Sequence, residues 1–369
     1  MRALHAAGYE VWLAINSGQQ TYAQRSRAAA GTVQVTSPGV SAERHAHEMA
    51  HAAARLKVAA VLPGTEASLA SLTGRQDLFS PGVGVAVTPP EVLRRATDKA
   101  LLGELAQRVG LETPEAIQVK GGEGDDLGEV PFPAIVKPVS TVGGGGNLIQ
   151  RRRQTALVRT PVELRRALAA APGVSCLVQP YVPGTLAAIC GVAWEGELIC
   201  SEHQRSPRIW PPSHGVSSYA TTVPPDPARD AAVGELVRAI GWSGVFGVQF
   251  LLQGERAQVI DFNPRLYGSL ALAVAAGLNL PAIWADLVLG RPVSKPGSYR
   301  AGVRYRVEED DPRALLAAFR RGERVAALRG LVPRRHTAHA VFSWRDPGPS
   351  LLTLAKLGRG LRSAGRRPG

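Results

Sequence analysis

Asp261 and Asn263 are separated by one residue, and Gln249 precedes them across a turn at Gly254. Along an extended chain side chains alternate between faces, so Asp261 and Asn263 share one, and a hairpin can set Gln249 against them. Three oxygen donors in that arrangement suit a hard cation such as magnesium, which commonly takes one or two carboxylates together with substrate phosphates. Arg265 follows, and a planar guanidinium beside metal-bound phosphate can hold the oxygens of a transferring phosphoryl group in a fork. A plain hairpin with exposed polar residues is the competing reading.

A second piece is the apolar run from Phe132 to Lys137, which ends in a lysine and leads through Ser140 to the four glycines Gly143, Gly144, Gly145 and Gly146. Such a lysine can meet phosphate. Glycines allow backbone N–H groups to approach and cradle an anion, and they let a loop close over a nucleotide. Neither GxxxxGK[ST] nor GxGxxG occurs here, so on its own the run also reads as a flexible linker. A third motif competes with both. His47-Glu48-Met49-Ala50-His51 is a literal HExxH, which on a helix places two histidines one turn apart, as in zinc proteases. No HxxGxxH extension follows, and an Ala-rich helix with histidines on its solvent side matches by accident.

The elements around these residues fall into modules. Over the first 90 residues, apolar strands at 10–15, 32–35, 58–62 and 84–87 alternate with Ala-rich amphipathic stretches, the pattern of a parallel α/β layer. Arg2 to Gly8 reads as the end of a helix with no strand before it, so the expectation is a layer whose first strand is missing. A helix is expected from Glu91 to Val109, then a small α+β lobe containing a strand at 134–136, a helix at 161–171 and a strand at 175–179. Strands at 189–194 and 197–200 turn at Glu195-Gly196, and a helix at 230–240 leads to the hairpin strands 247–252 and 258–262. The Pro- and Ser-rich stretch from Ser206 to Ser218 reads as a loop, and beyond Pro292 the chain turns basic and less regular. The expected domains are 1–90, 91–292 with a mobile lobe at about 131–184, and a C-terminal extension, 293–369, with a basic tail.

Asp98-Lys99, the Ile135-Val-Lys137-Pro strand, the glycine loop, Val178-Gln-Pro-Tyr-Val-Pro-Gly184, Val248-Gln-Phe250 and Ile260-Asp-Phe-Asn-Pro-Arg265 occur in that order. As an ordered set they closely resemble the ATP-grasp superfamily. Gly268-Ser269 and Ala276-Gly277-Leu-Asn279 continue the pattern, and the region before Thr88 resembles the pre-ATP-grasp domain. The resemblance implies α/β and α+β architecture, with a pre-ATP-grasp parallel α/β domain followed by a two-lobed ATP-grasp fold. It implies that Lys99 and Lys137 bind nucleotide phosphates, and that the hinge Gln179, Pro180, Tyr181 and Val182 holds adenine, with Pro180 offering its carbonyl and Val182 its amide. Relatives usually carry Glu at both metal-bridging positions, where this chain has Gln249 and Asp261; the carbamoyl-phosphate synthetase branch is similar in using Gln at the first. In carboxylate-amine ligase-like members a His and Arg pair similar to His203 and Arg205 faces the acceptor side.

The activity implied is an ATP-dependent ligation that makes carbon–nitrogen bonds. ATP and magnesium, or manganese in its place, serve phosphoryl transfer to a small-molecule carboxylate, with Arg265 stabilising it, and an amine or similar nucleophile then attacks the acyl phosphate. No GxSxG elbow or Cys/His pair is present to suggest a covalent nucleophile on the enzyme. Carboxylation of the biotin carboxylase or carbamoyl-phosphate synthetase kind, a non-catalytic ATP-binding protein and, most remotely, a zinc metalloprotease are the alternatives. With only Met1 and Met49, the chain has no Ala-Met-Lys-Met biotin attachment site. Its net charge of +13 suits phosphate-rich partners. Much of the excess lies in Arg151, Arg152, Arg153 and the stretch Lys356 to Arg367, away from aromatics, so specific nucleic-acid binding is not expected. Cys176, Cys190 and Cys200 form neither a CxxC nor an even set, so small buried thiols are expected. No apolar run approaches a membrane span, giving a cytoplasmic expectation without membrane partners, and a homodimer is compatible with it.

Overall fold

The computed structural model describes residues 1–122, 130–140, 155–294, 296–332 and 334–353. The N-terminal module starts with helix α1 (Arg2–Ala6) and strand β1 (Trp12–Asn16), which pairs in parallel with β2 (Gly31–Val35). Helix α2 (Ala42–Leu56) presents Ala46, Ala50 and Ala53 to Val61, Leu72 and Phe79, and these small side chains allow the helix to lie close on its neighbours. Strand β3 (Ala60–Val61), helix α3 (Glu66–Leu72) and strand β4 (Gly84–Val85) complete it, with β3 and β4 parallel. The parallel α/β pattern therefore appears as two separate two-stranded sheets instead of one layer.

The helix expected over 91–109 is broken. Helix α4 (Pro90–Thr97) stops at Asp98, whose extended backbone lets its carboxylate accept from the amides of Ala100 and Leu101 and so cap α5 (Lys99–Arg108). The break sets Lys99 at the first turn of a new helix.

The small lobe is a four-stranded antiparallel sheet of β5 (Ile117–Lys120), β6 (Ala134–Pro138), β7 (Ala156–Val158) and β8 (Ser175–Pro180), in the order β5-β8-β6-β7. Helix α6 (Pro161–Ala169) buries Leu164 and Leu168 against Val119, Val136, Val158 and Val178. The sheet of this lobe thus begins at Ile117, earlier than the expected 131.

The large sheet contains β9 (Thr185–Trp194), β10 (Glu197–Trp210), β11 (Val216–Val223), β12 (Gly244–Gln253), β13 (Arg256–Asn263), β14 (Arg304–Arg306) and β15 (Thr337–His339). Its order is β13-β12-β9-β10-β11-β14-β15. At the β9–β10 turn Glu195 and Gly196 both have positive φ, 51° and 80°, the geometry of a tight two-residue hairpin. Helix α7 (Pro227–Ile240), capped by Asp226 and ended by Gly241 at φ 76°, packs Val233, Leu236, Val237 and Ile240 on one face with α4 and α5. We call this the back. Helices α8 (Leu270–Ala276) and α9 (Leu280–Val288) cover part of the opposite, front face.

The Pro- and Ser-rich stretch 206–218 is mostly strand, with only 211–215 connecting β10 to β11, because Pro207 falls at a register shift between Arg205 and Arg208 where no ladder bond is required of it. The segment after 292 is not an appendage: β14 and β15 extend the large sheet, and helices α10 (Asp311–Arg320) and α11 (Arg324–Leu331) lie on its back. Asp346 then returns to the N-terminal module, pairing with Arg2 at 2.7 Å and accepting from the Arg27 amide at 3.0 Å. Among the described residues no single helix is long and apolar enough to cross a membrane.

Candidate active site

Strand register builds the site. Gln249 pairs with Asp261 across β12–β13 and with Ala188 across β12–β9, and Ala188 pairs with Gln204 on β10. Directly paired residues share a face, so Asp261, Gln249, Ala188 and Gln204 form one row across the front. The next row on that face is Asn263, Gly247, Cys190 and Glu202. Gln249, Asp261 and Asn263 therefore lie on one face of neighbouring strands.

Three cations surround the first row. Lys99, held by the α5 cap, donates to Asp261 Oδ1, and Lys137, from β6 of the small lobe, donates to the Ile260 carbonyl at 2.9 Å. Arg265 donates to Asn263 Oδ1 at 2.8 Å and to Glu66 Oε1 of α3 at 2.9 Å, which ties the N-terminal module to the site. Burial would raise the Asp261 carboxyl, but Lys99 and Lys137 outweigh it by charge and by the Lys99 hydrogen bond, with Arg265 adding, and hold it below its ordinary value. Burial, then repulsion from Lys99, lowers the Lys137 ammonium to about 8, with Asp261 opposing the drop.

The second row is different in kind. Glu202 is 0% exposed and neither carboxylate oxygen has a hydrogen-bond partner among the described residues. Burial pushes it up to about 8; the Tyr267 hydroxyl opposes the rise without reaching hydrogen-bond geometry. A carboxyl in that state is mostly protonated at neutral pH. Gln204 is buried too, its amide nitrogen donating to Ser269 Oγ at 2.8 Å and to Cys190 Sγ at 3.2 Å, while its carbonyl oxygen has no partner. Gly247 keeps this region tight, since a Cβ there would lie 3.2 Å from Cys190 Sγ and 3.8 Å from the Tyr267 ring.

His203 and Arg205 are not brought to this face. They pair with Ile189 and Ala187, which continue to Val248 and Phe250 in the core of the back. Period two puts them opposite their neighbours Glu202 and Gln204. His203 is buried with its ring nitrogen 2.9 Å from Asp230 of α7, and Arg205 lines a back-face cavity of about 280 Å³ with Asp226 and Arg229. Gln204 was hidden in the sequence because the parity of β10 against its neighbours could not be read from one strand.

Where the hinge leaves β8, the Tyr181 amide donates to the Pro133 carbonyl at 2.8 Å, and Pro180 has no N–H. Of these residues Val182 keeps an amide that makes no backbone hydrogen bond among the described residues. Gly143 to Gly146, Arg151 to Arg153 and Lys356 to Arg367 lie outside the described residues. Glu48 of the HExxH stretch is committed elsewhere, accepting from Thr36 Oγ1 at 3.1 Å and Arg44 at 2.8 Å, with His47 and His51 exposed beside it. Among the described residues no group of three or more His, Cys, Asp or Glu side chains is placed to hold a metal.

The donor chemistry where the two rows meet β13 fits magnesium nonetheless. Asp261 gives a carboxylate, and Gln249 and Asn263 give neutral amide oxygens in adjacent register positions, an all-oxygen set for a hard cation whose remaining positions phosphates and water would fill. Two lysines and an arginine against the carboxylates of Asp261 and Glu66 leave a surplus of positive charge suited to a nucleotide's phosphates.

The profile of the family described as ATP-grasp in the biosynthetic pathway with Ter operon matches residues 174–311. The chain is 30% identical over 236 residues to the carbamoyl phosphate synthase large chain of Thermomicrobium roseum, covering 58% of this chain and 21% of that one. It spans about a fifth of the length of the curated relatives it matches. Among solved structures it resembles L-amino acid ligase from Bacillus licheniformis, with a TM-score of 0.63 and 16% identity over 82% of this chain and 74% of that one. It also resembles the biotin carboxylase domain dimer of Hydrogenobacter thermophilus 2-oxoglutarate carboxylase, a complex with MgADP, ADP and bicarbonate, with a TM-score of 0.59 and 16% identity over 82% and 69%.

Proposed function

From the ATP-grasp domain that this chain carries, we propose that it is an ATP-dependent ligase that activates a small-molecule carboxylate as an acyl phosphate and passes the acyl group to an amine. The observation that carries this reading is the meeting of Lys99, Lys137 and Arg265 around the row Asp261–Gln249. Lys99 and Lys137 bind the phosphates, and the hinge 179–182 receives the adenine, with the Val182 amide as donor. Asp261, Gln249 and Asn263 would hold magnesium, which neutralises phosphate charge when bound. Arg265, fixed by Glu66 and Asn263, orients the transferring group by its fork.

In the first step a carboxylate oxygen of the substrate attacks the γ-phosphorus and the bond to ADP breaks. An amine then attacks the acyl carbon, phosphate departs and the amine loses a proton. No side chain changes its covalent state, so catalysis is positioning and charge neutralisation. Gln179 lies in β8 and Tyr181 just past its end, both as backbone contributors. Similarity to carbamoyl phosphate synthases supports a second reading in which bicarbonate is the carboxylate.

The test is to incubate the full chain with ATP and magnesium, screen bicarbonate, small carboxylic acids and amino acids for ADP release, and trap the activated species with hydroxylamine. A hydroxamate formed with one acid supports the ligase. Bicarbonate-dependent ADP release without hydroxamate favours the second reading. ATP binding with no turnover for any acid would leave a nucleotide-binding protein and overturn both.

A further inference from the structure

The back face carries a second polar region, which begins three strands from Asp261 in the order of the sheet and runs from β10 to β15. Arg208 on β10 pairs with Tyr219 on β11, Tyr219 with Arg306 on β14, and Arg306 with His339 on β15. Arg304 lies two residues from Arg306 on the same face and is paired with Thr337. Register places this row with Arg205, because Thr221, the partner of Arg205, alternates in phase with Tyr219. Helix α11 roofs it with Ala326, Arg329 and Gly330, and Val332 and Arg334 close one side, leaving a cavity of about 530 Å³.

The charge of this cavity is not balanced from within. One carboxylate, Asp311, is 0% exposed and takes Arg208 in a two-pronged contact at 2.6 and 3.0 Å, with Arg306 Nε at 2.8 Å. Arg208 also stacks 4.0 Å above the Tyr219 ring, and Arg306 donates to the Gly330 carbonyl, so both guanidiniums are held in place. His339 faces Glu308 at 3.5 Å. Arg304, Arg329 and Arg334 have no acidic partner among the described residues. Among the described residues five always-charged guanidiniums line this concave wall and only Arg208 and Arg306 meet a carboxylate, so the five repel one another, and an anion in their midst relieves that repulsion. Guanidinium forks match phosphate and carboxylate oxygens in pairs.

We propose that this cavity is a binding site for a small polyanion carrying two or more phosphate or carboxylate groups, separate from the front-face cleft. Arg208 and Arg306 form its fixed floor, and Arg304, Arg329 and Arg334 supply the free charge. The volume lies within the range of small-molecule pockets. The site stands whether or not the front face transfers phosphoryl groups.

The test uses calorimetry on the full chain with tripolyphosphate and, separately, citrate, in the presence of saturating MgADP so that the front cleft is filled. One molecule of either probe should bind per chain, with affinity falling as salt is raised. Whichever probe binds more tightly identifies phosphate or carboxylate as the source. Arg304→Gln and Arg334→Gln, whose side chains pair with no carboxylate among the described residues, should each weaken binding by about tenfold while the melting temperature stays put. Lys137→Ala should leave probe binding unchanged. Absence of binding by both probes overturns the proposal. So does loss of binding in Lys137→Ala but not in the arginine variants, which would assign the heat to the nucleotide cleft. Binding of long polyuridylate alone would replace the cavity with an extended nucleic-acid face.

Discussion

Asp261 and Glu202 point to the same side of one sheet, at the ends of adjacent rows, and their environments drive them in opposite directions. Glu202 is fully buried and Asp261 partly so, and desolvation raises both. Asp261 has Lys99, Lys137 and Arg265 around it and stays ionised; Glu202 has no hydrogen-bond partner among the described residues and rises to about 8. The difference is the supply of cations, which arrive from α5, the small lobe and the segment after β13. A charge is kept where three modules meet, and a neutral acid where a single sheet packs on α8.

The sharpest way to break that contrast is to remove the charge of Asp261. Asp261→Asn keeps the shape but leaves Lys99 and Lys137 facing each other without a carboxylate. It should lower ATP turnover by at least about 100-fold, the scale of losing one electrostatic contact in a preorganised site. Steady-state ADP release with a folded-state check by circular dichroism measures it; near-normal turnover would remove Asp261 from the site. Gln249→Glu moves the other way. A second carboxylate paired with Asp261 should lower the magnesium concentration for half-maximal activity, and a magnesium titration that does not move would separate Gln249 from metal binding.

A smaller effect is expected at Lys137. Lys137→Ala removes one charge-assisted contact and should weaken ATP binding by about 1.5–3 kcal/mol in calorimetry. Its depressed value adds a pH signature. The ammonium is charged below about 8, so ATP affinity should fall as pH rises through that point, and binding near pH 8 should take up a proton as phosphates favour the charged form. Unbound, the effect on stability has the opposite sense: between about 8 and the ordinary lysine value of 10.5, the unfolded chain holds a proton that the folded lysine has lost, so stability contributed by this group rises with pH. Identical heats in buffers of different ionisation enthalpy would contradict the proton uptake.

Much of this site was legible from the sequence where one strand or one turn decides. Asp261 and Asn263 share a face by period two alone, and the Gly254 turn, at φ 59°, fixes Gln249 opposite them. The break at Asp98 could have been read as well, since Asp is a strong N-cap, yet the apolar periodicity of 91–109 runs straight across it. What could not be read is parity between distant strands. His203 and Gln204 are neighbours in the chain, and whether one or the other faces Asp261 depends on the β9–β10 and β9–β12 registers. The same limit hid the roles of 304–306 and 337–339, three-residue strands too short to show any period. Ser206 to Ser218 misled for a local reason, because proline and serine usually punctuate loops, and here a bulge accommodates them.

The gentlest perturbation of the contrast is Glu202→Gln, which makes permanent the neutral state that burial already favours. Glu202 titrates at about 8 in the folded chain against an ordinary 4.5, so within that window the unfolded chain releases a proton that the folded chain retains. Folding is therefore most favoured below 4.5 and loses stability as pH climbs towards about 8, by up to roughly 1.4 kcal/mol per pH unit. The amide cannot ionise in either state, so the variant should show a flatter melting temperature from pH 5 to pH 8, with its advantage over the parent growing at the alkaline end. Turnover should change only a few-fold, because Glu202 lies on β10, three strands from Asp261 and Asn263 on β13, and touches neither lysine. If the slope survives the substitution, Glu202 is ionised in the folded chain and some cation reaches it that the packing around Tyr267 and Cys190 does not provide. If turnover collapses instead while the fold holds, the two rows act as one site, and the neutral carboxyl beside Gln204 is part of the machinery that Asp261 anchors.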